Sequence, residues 1–125
     1  FMTCEEDHGQ YDDTRRVFWA TGACLMVRAS VFHQSGGFDA DFFAHMEEID
    51  WCWRVQRLGH EVWAVGNATV YHVGGGTLAN TSYYKLFLNY RNNLIMLAKN
   101  LPAGRAWWLI FLRLVFDGLS GLRFA

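Results

Sequence analysis

The stretch HMEEIDWCWR, His45–Arg54, sets three carboxylates within four residues among two tryptophans, an isoleucine and a cysteine. Like charges crowded against apolar bulk are costly unless partners or a function offset them. The segment reads as a helix running to about Leu58 and stopped by Gly59. Its first turn is acidic and its last carries Arg54 and Arg57, which matches the helix dipole. At about 100° per residue, Glu47, Asp50, Arg54 and Arg57 share one side. Asp50 and Arg54 form an i,i+4 pair in the favourable order, so Asp50 has a structural role in view, and Glu47 suits the helix start. Glu48 differs: its i+3 and i+4 neighbours are Trp51 and Cys52, with no cation at helical spacing. A carboxylate in that setting gains basicity, the condition for a general base. A plainly exposed acid, or one paired with a distant arginine, satisfies the same pattern.

Outward from this helix, the spacing predicts an α/β chain. Residues 1–16 read as a loop, and Val17–Arg28 as a mostly buried strand pair or kinked strand split at Thr21-Gly22. A short helix at Ala29–Gln34 precedes the turn Ser35-Gly36-Gly37, and Phe38–Phe43 reads as an ordered loop. Beyond Gly59, Glu61–Val65 and Ala68–His72 read as strands, followed by the glycine run Gly74-Gly75-Gly76-Thr77. Asn80-Thr81-Ser82 offers an N-cap for a long helix to about Leu101, closed by Pro102. Its apolar stripe is Tyr83, Phe87, Tyr90, Leu94, Leu97 and Leu101. A last helix covers roughly 103–122.

The composition fits one domain with a core: 125 residues, 52% hydrophobic and 17% aromatic. Net charge is −1 with no basic block, which excludes a general nucleic-acid-binding role. The three cysteines form no CxxC pair and fit reduced thiols in a cytosolic setting. No run reaches the ~18 apolar residues of a membrane span. The chain starts without Met and stops in an apolar segment, as a piece of a longer protein would.

The run TGACLMVRASVFHQSGGFDADFFAHMEEIDWCWRVQRLGHEVWAVGNATVYHVGGGT, Thr21–Thr77, resembles the C-terminal half of family 2 glycosyltransferases. The likeness is greatest to bacterial cell-surface polysaccharide enzymes, rhamnosyltransferase-like members among them. It rests on TGA, GGFD, FF, an acidic E-[ED]-x-D with Arg four residues beyond its Asp, and His-x-GGG, in that order. The tail FLNYRNNLIMLAKNLP, Phe87–Pro102, is similar too, so the resemblance covers about 100 of the 125 residues.

The resemblance implies the acceptor-side half of a GT-A nucleotide-diphospho-sugar transferase fold over residues 1–102. A long amphipathic helix ends that part, and a tryptophan-rich terminal helix occupies 103–125. It implies an inverting hexosyltransferase that moves sugar from a nucleotide-sugar donor to a glycan or lipid-linked acceptor. The second acid of the pair is the base in this family; here it is Glu48, with one methylene more reach than the family's Asp. Glu47, Asp50, Trp51 and Arg54 would support that helix. His72 matches a metal-ligating histidine for Mg²⁺ or Mn²⁺, the remaining ligands lying outside this chain. Without that context His72 would read as a packed or surface histidine.

Gly74, Gly75 and Gly76 would form a mobile loop over the donor diphosphate; read alone they are a connector and not a P-loop. Arg91 has two readings, a diphosphate contact or a structural arginine. Trp19, Thr21, Gly22, Asp39 and Trp51 would line the acceptor side. Asp39-Ala40-Asp41 spells a metal D-x-D but matches the later GGFD-x-x-FF loop instead. The missing nucleotide-binding half would leave these residues inactive alone. The terminal helix, with Trp107 and Trp108 among arginines, fits a membrane interface, or packing against the rest of the protein or a second copy. The implied location is the cytoplasm, at the inner face of the cytoplasmic membrane. A different class also fits: a non-catalytic glycan-binding or membrane-docking module derived from a transferase half.

Overall fold

The computed structural model describes residues 6–73 and 82–124, with side chains to Gly121. Its elements are β1 (Thr14–Val17), α1 (Ala29–Gln34), α2 (Glu47–Arg57), β2 (Val62–Val65), α3 (Tyr83–Asn100) and α4 (Ala103–Phe124). Short 3₁₀ turns fall at Gly22–Cys24 and Ala40–Phe42. The architecture is mixed α/β, with four helices and a two-stranded antiparallel sheet among the described residues.

The sheet runs from Thr14 opposite Val65 to Val17 opposite Val62. Val62 is buried with Trp51, Cys52 and Val55 of α2, and Val17, Ala20, Leu25, Val27, Val31 and Phe32 pack against that cluster. The α2 helix thus turns one side into the core, as its spacing predicts.

Two strand expectations are corrected. Only Val17 of Val17–Arg28 lies in a strand, β1 having begun at Thr14 within the expected loop. The rest is a 3₁₀ turn followed by extended chain without a ladder, which sends Leu25 and Val27 inward and leaves Met26 98% exposed. Ala68–His72 likewise has no strand partner among the described residues, and Val70, Tyr71 and Val73 are exposed. β-prone residues become a strand only where a neighbouring edge is free to pair.

The apolar stripe of α3 is also corrected. The buried line is Leu88, Asn92, Met96 and Asn100, whereas Tyr83, Phe87 and Tyr90 are exposed. Two asparagines occupy the inner face because their amide N–H groups meet backbone and carboxylate acceptors there, although Asn100 Oδ1 has no partner among the described residues; hydropathy does not register such bonds. Ser82 stands at the N-cap position without a side-chain cap bond, and 80–81 lie outside the described residues. α3 packs against α2 on one side and α4 on the other.

The glycine turn after α1 has a steric requirement. Gly36 and Gly37 have φ of 79° and 66°, and a Cβ on Gly37 would lie 3.0 Å from the Phe32 ring. Phe32, Phe38 and Trp51 form an aromatic trio beneath it, with centroids 5.4–6.0 Å apart. Gly37→Ala is therefore expected to cost about 1–3 kcal/mol, the left-handed backbone and overpacking acting together. Urea unfolding of the variant checks it; an unchanged midpoint contradicts it.

Candidate active site

Three features converge around the N-terminal half of α2: the 3₁₀ turn at Gly22, the loop Phe42–Met46, and the inner face of α3. Asp50 is fully buried and accepts from three side chains: Arg54 Nε at 2.8 Å, Asn100 Nδ2 at 2.7 Å and Lys99 Nζ at 3.2 Å. Arg54 also donates to the carbonyls of Ser35 (2.5 Å) and Gly37 (2.7 Å), tying α2 to the glycine turn. The i,i+4 pair read from the sequence is thus one edge of a network joining α2, α3 and that turn. Arg57, expected on the same side, donates to the Asn100 carbonyl at 3.4 Å.

Glu48 points the other way. Its side chain lies beside Gly22, where an added Cβ would be 3.7 Å from the Glu48 Cβ. It forms no ion pair among the described residues, and one carboxylate oxygen is buried with no hydrogen-bond partner there. Burial pushes the Glu48 carboxyl above its ordinary range, and the neighbouring Glu47 charge adds to this. Backbone amides of Glu48 and Ile49, and His45, oppose the shift more weakly. One Glu47 oxygen is also buried without a partner among the described residues. Burial likewise raises the Cys52 thiol on the adjoining turn.

The backbone leading into α2 is strained. Phe43 (φ 61°), His45 (φ 70°) and Met46 (φ 73°) all occupy positive φ without being glycine. At Phe43, with ψ −61°, the Ala44 amide donates to the Phe42 carbonyl at 2.7 Å, a γ-turn of the rare hand. Such residues cost about 1–3 kcal/mol each and persist only where surroundings fix them. Asn92 does the fixing: its fully buried Nδ2 donates to the carbonyls of Phe42 (2.8 Å), Ala44 (2.8 Å) and His45 (2.7 Å).

The remaining expected site residues fall in different places. Thr21 caps the 3₁₀ turn through its side chain, next to Gly22, and Trp19 is half-exposed nearby in sequence. Trp51 is a correction to the acceptor lining: it is 3% exposed, and its indole N–H donates to Ser35 Oγ at 2.8 Å, which makes it core. Asp39 is engaged in structure, capping the Ala40–Phe42 turn and pairing with Lys99 at 2.5 Å, and Lys99 holds its carboxyl below the usual range. Arg91 donates to Asn92 Oδ1 at 3.0 Å and to the Asp41 carbonyl, the contacts of a structural arginine. Gly74, Gly75 and Gly76 lie outside the described residues.

His72 is exposed in the extended segment after β2. Among the described residues no group of three or more His, Cys, Asp or Glu is placed to hold a metal ion. One imidazole does not make a divalent-metal site, which needs several ligands, so these residues alone do not fit the metal that the sequence resemblance implies. Likewise, no helix among the described residues is long and apolar enough to cross a membrane.

Asn92, Asn100 and Lys99 were not singled out from the sequence. The signal available was two asparagines at i,i+8 on a helix line otherwise apolar, Leu88 and Met96 completing it.

The chain is similar to an N-acetylglucosaminyl-diphospho-decaprenol L-rhamnosyltransferase of Mycobacterium tuberculosis, at 33% identity over 109 residues in strains CDC 1551 and H37Rv. That match covers 87% of this chain and 34% of the relative. It is also similar to the low-salt glycan biosynthesis hexosyltransferase Agl10 of Haloferax volcanii, 30% identical over 90 residues, covering 70% of this chain and 29% of that protein. The chain thus spans about a third of the length of the curated relatives it matches. No family model matches it, and no solved structure does.

Proposed function

We propose that this chain is the acceptor-side part of an inverting, GT-A-type glycosyltransferase of family 2. The observation that carries the reading is Glu48: a half-buried carboxylate without an ion pair among the described residues, its basicity raised by burial, its side chain lying beside Gly22. Both relatives are transferases by name, one of them acting on a sugar carried by a lipid diphosphate.

In this reading the Glu48 carboxylate accepts the proton of an acceptor hydroxyl as its oxygen attacks the anomeric carbon of a nucleotide-diphosphate sugar. The new C–O bond forms as the bond to the diphosphate breaks on the opposite face, so the centre inverts. Gly22 and Trp19 border the acceptor hydroxyl, and Glu47 keeps Glu48 basic through its charge. Asp50, Arg54 and Trp51 hold the helix that carries the base. His72 is assigned as one donor toward a divalent ion, Mg²⁺ or Mn²⁺, whose other ligands lie outside this chain. Gly74–Gly76 are assigned to the donor-diphosphate side. The same reading puts transfer in the cytoplasm at the inner face of the membrane, where a lipid-linked acceptor is met.

One observation favours the second reading, a glycan-binding or membrane-docking module: α4 exposes Trp107, Trp108, Phe111 and Phe116. The full-length protein, given nucleotide sugars and a lipid-diphosphate-linked acceptor, distinguishes the two. Transfer is expected, and NMR of the product should show the anomeric configuration opposite to the donor's. Retained configuration overturns the mechanism. Absence of transfer, with glycan or vesicle binding intact, favours the module.

A further inference from the structure

We propose that Asn92 is a positioning residue for the reaction: its side-chain amide holds the loop with positive φ at Phe43, His45 and Met46 in the form that aims Glu48 toward the acceptor. The inference rests on the assignment of Glu48 as the base.

Four observations lead to it. The chain enters α2 through three non-glycine residues at positive φ, and Met46, the N-cap residue, provides no side-chain cap bond. The local backbone bonds are few: the Phe42–Ala44 γ-turn bond, the Phe43 N–H to the Ala40 carbonyl, and the Met46 carbonyl accepting from the Asp50 N–H. The securing group arrives from α3, 47 to 50 residues away in sequence, where one amide nitrogen meets three loop carbonyls, those of Phe42, Ala44 and His45. Two N–H groups serve three acceptors, so at least one bond is shared, and the loop wraps around the nitrogen rather than touching it once. The amide oxygen is fixed in turn by Arg91, whose other end donates to the Asp41 carbonyl. Both ends of the carboxamide are therefore tied to the same strand of loop.

The consequence for chemistry is directional. Glu48 is two residues past Met46, in the first turn of α2. The rotation of that turn about the helix axis follows from the φ and ψ of the preceding residues. Without the amide, His45 and Met46 are free to relax toward negative φ, which swings the first turn of α2 and the Glu48 carboxylate away from Gly22. Arg54 stays anchored by the Ser35 and Gly37 carbonyls, and Asp50 by Asn100 and Lys99 of α3, so the displacement falls on the residues ahead of Asp50. A misplaced base lowers the rate of the proton-transfer step more than it alters binding of donor, which the loop does not touch in this reading.

Glycine separates this role from general core support, because it occupies positive φ without strain. The test uses the full-length transferase and three variants: Asn92→Ala, Asn92→Ala combined with His45→Gly and Met46→Gly, and Glu48→Gln as reference. Expected is at least a tenfold fall in kcat for Asn92→Ala with donor KM within about twofold, and recovery of at least half the lost activation free energy in the triple variant. If Asn92→Ala alone does not fold, the triple variant is expected to fold and carries the kcat measurement. Unchanged kcat in Asn92→Ala, a KM effect in place of a kcat effect, or a triple variant that fails to fold or shows no recovery overturns the proposal. Full turnover by Glu48→Gln sinks the base assignment instead, and leaves the glycine rescue of thermal stability as a separate readout of the loop.

Discussion

Glu48→Gln is expected to lower kcat by about 10²–10⁴-fold, the contribution of a positioned general base, with donor binding preserved. The glutamine keeps the volume and the backbone bonds of Glu48 and removes only the ability to take a proton. Its effect on stability should have the opposite sign. The folded-state pKa of Glu48 lies above its unfolded value because burial disfavours the charged form. The folded protein therefore binds the proton more tightly, so the neutral side chain's stabilising contribution is present below the unfolded pKa and lost as pH rises through the folded one. Where the wild-type carboxylate is charged it is poorly solvated, and the glutamine, neutral throughout, is relieved of that cost. A thermal melt at neutral pH should place the variant at or above wild type, with the difference closing toward acid pH. A catalytically dead variant that also unfolds more readily would assign Glu48 to structure and remove it as the base.

Asp50→Ala, two residues along the same helix, is expected to do the reverse. The substitution leaves Arg54, Lys99 and Asn100 facing a site from which their shared acceptor has gone. Breaking a buried pair by removing one partner costs about 3–5 kcal/mol, a large share of the roughly 5–15 kcal/mol that holds a domain folded. Arg54→Ala should cost less, because Lys99 and Asn100 still reach the carboxylate. Urea unfolding of both variants gives the ranking, and an Asp50→Ala midpoint within error of wild type would show that the network contributes nothing net. The two outcomes together separate acids that sit two residues apart.

Part of this division was legible in the sequence. The i,i+4 pairing of Asp50 with Arg54, the absence of a helical-spacing cation for Glu48, the Ala29–Gln34 helix and the stop at Gly59 all depend on local periodicity and turn chemistry, and each appears in the structure. The readings that fell concerned long-range partners. Ala68–His72 has strand composition but no partnering edge among the described residues. Trp51 looked available to an acceptor and lies instead in an aromatic cluster with Phe32 and Phe38. The buried face of α3 was assigned to the stripe from Tyr83 to Leu101, yet Leu88, Asn92, Met96 and Asn100 hold it.

By itself, the sequence determined the helix α2, which of its acids is locally paired, and the glycine turn after α1. These follow from bond geometry and spacing within a few residues. Only the tertiary structure decided that Asp50 joins α2 to α3, that Glu48 faces Gly22, and that Asn92 holds a left-handed loop from 47 to 50 residues away. The physical reason is that a buried polar group is tolerable only beside its partner. Hydrophobic periodicity predicts which face of a helix turns inward on average, but not which distant carbonyl or carboxylate will satisfy an amide placed there.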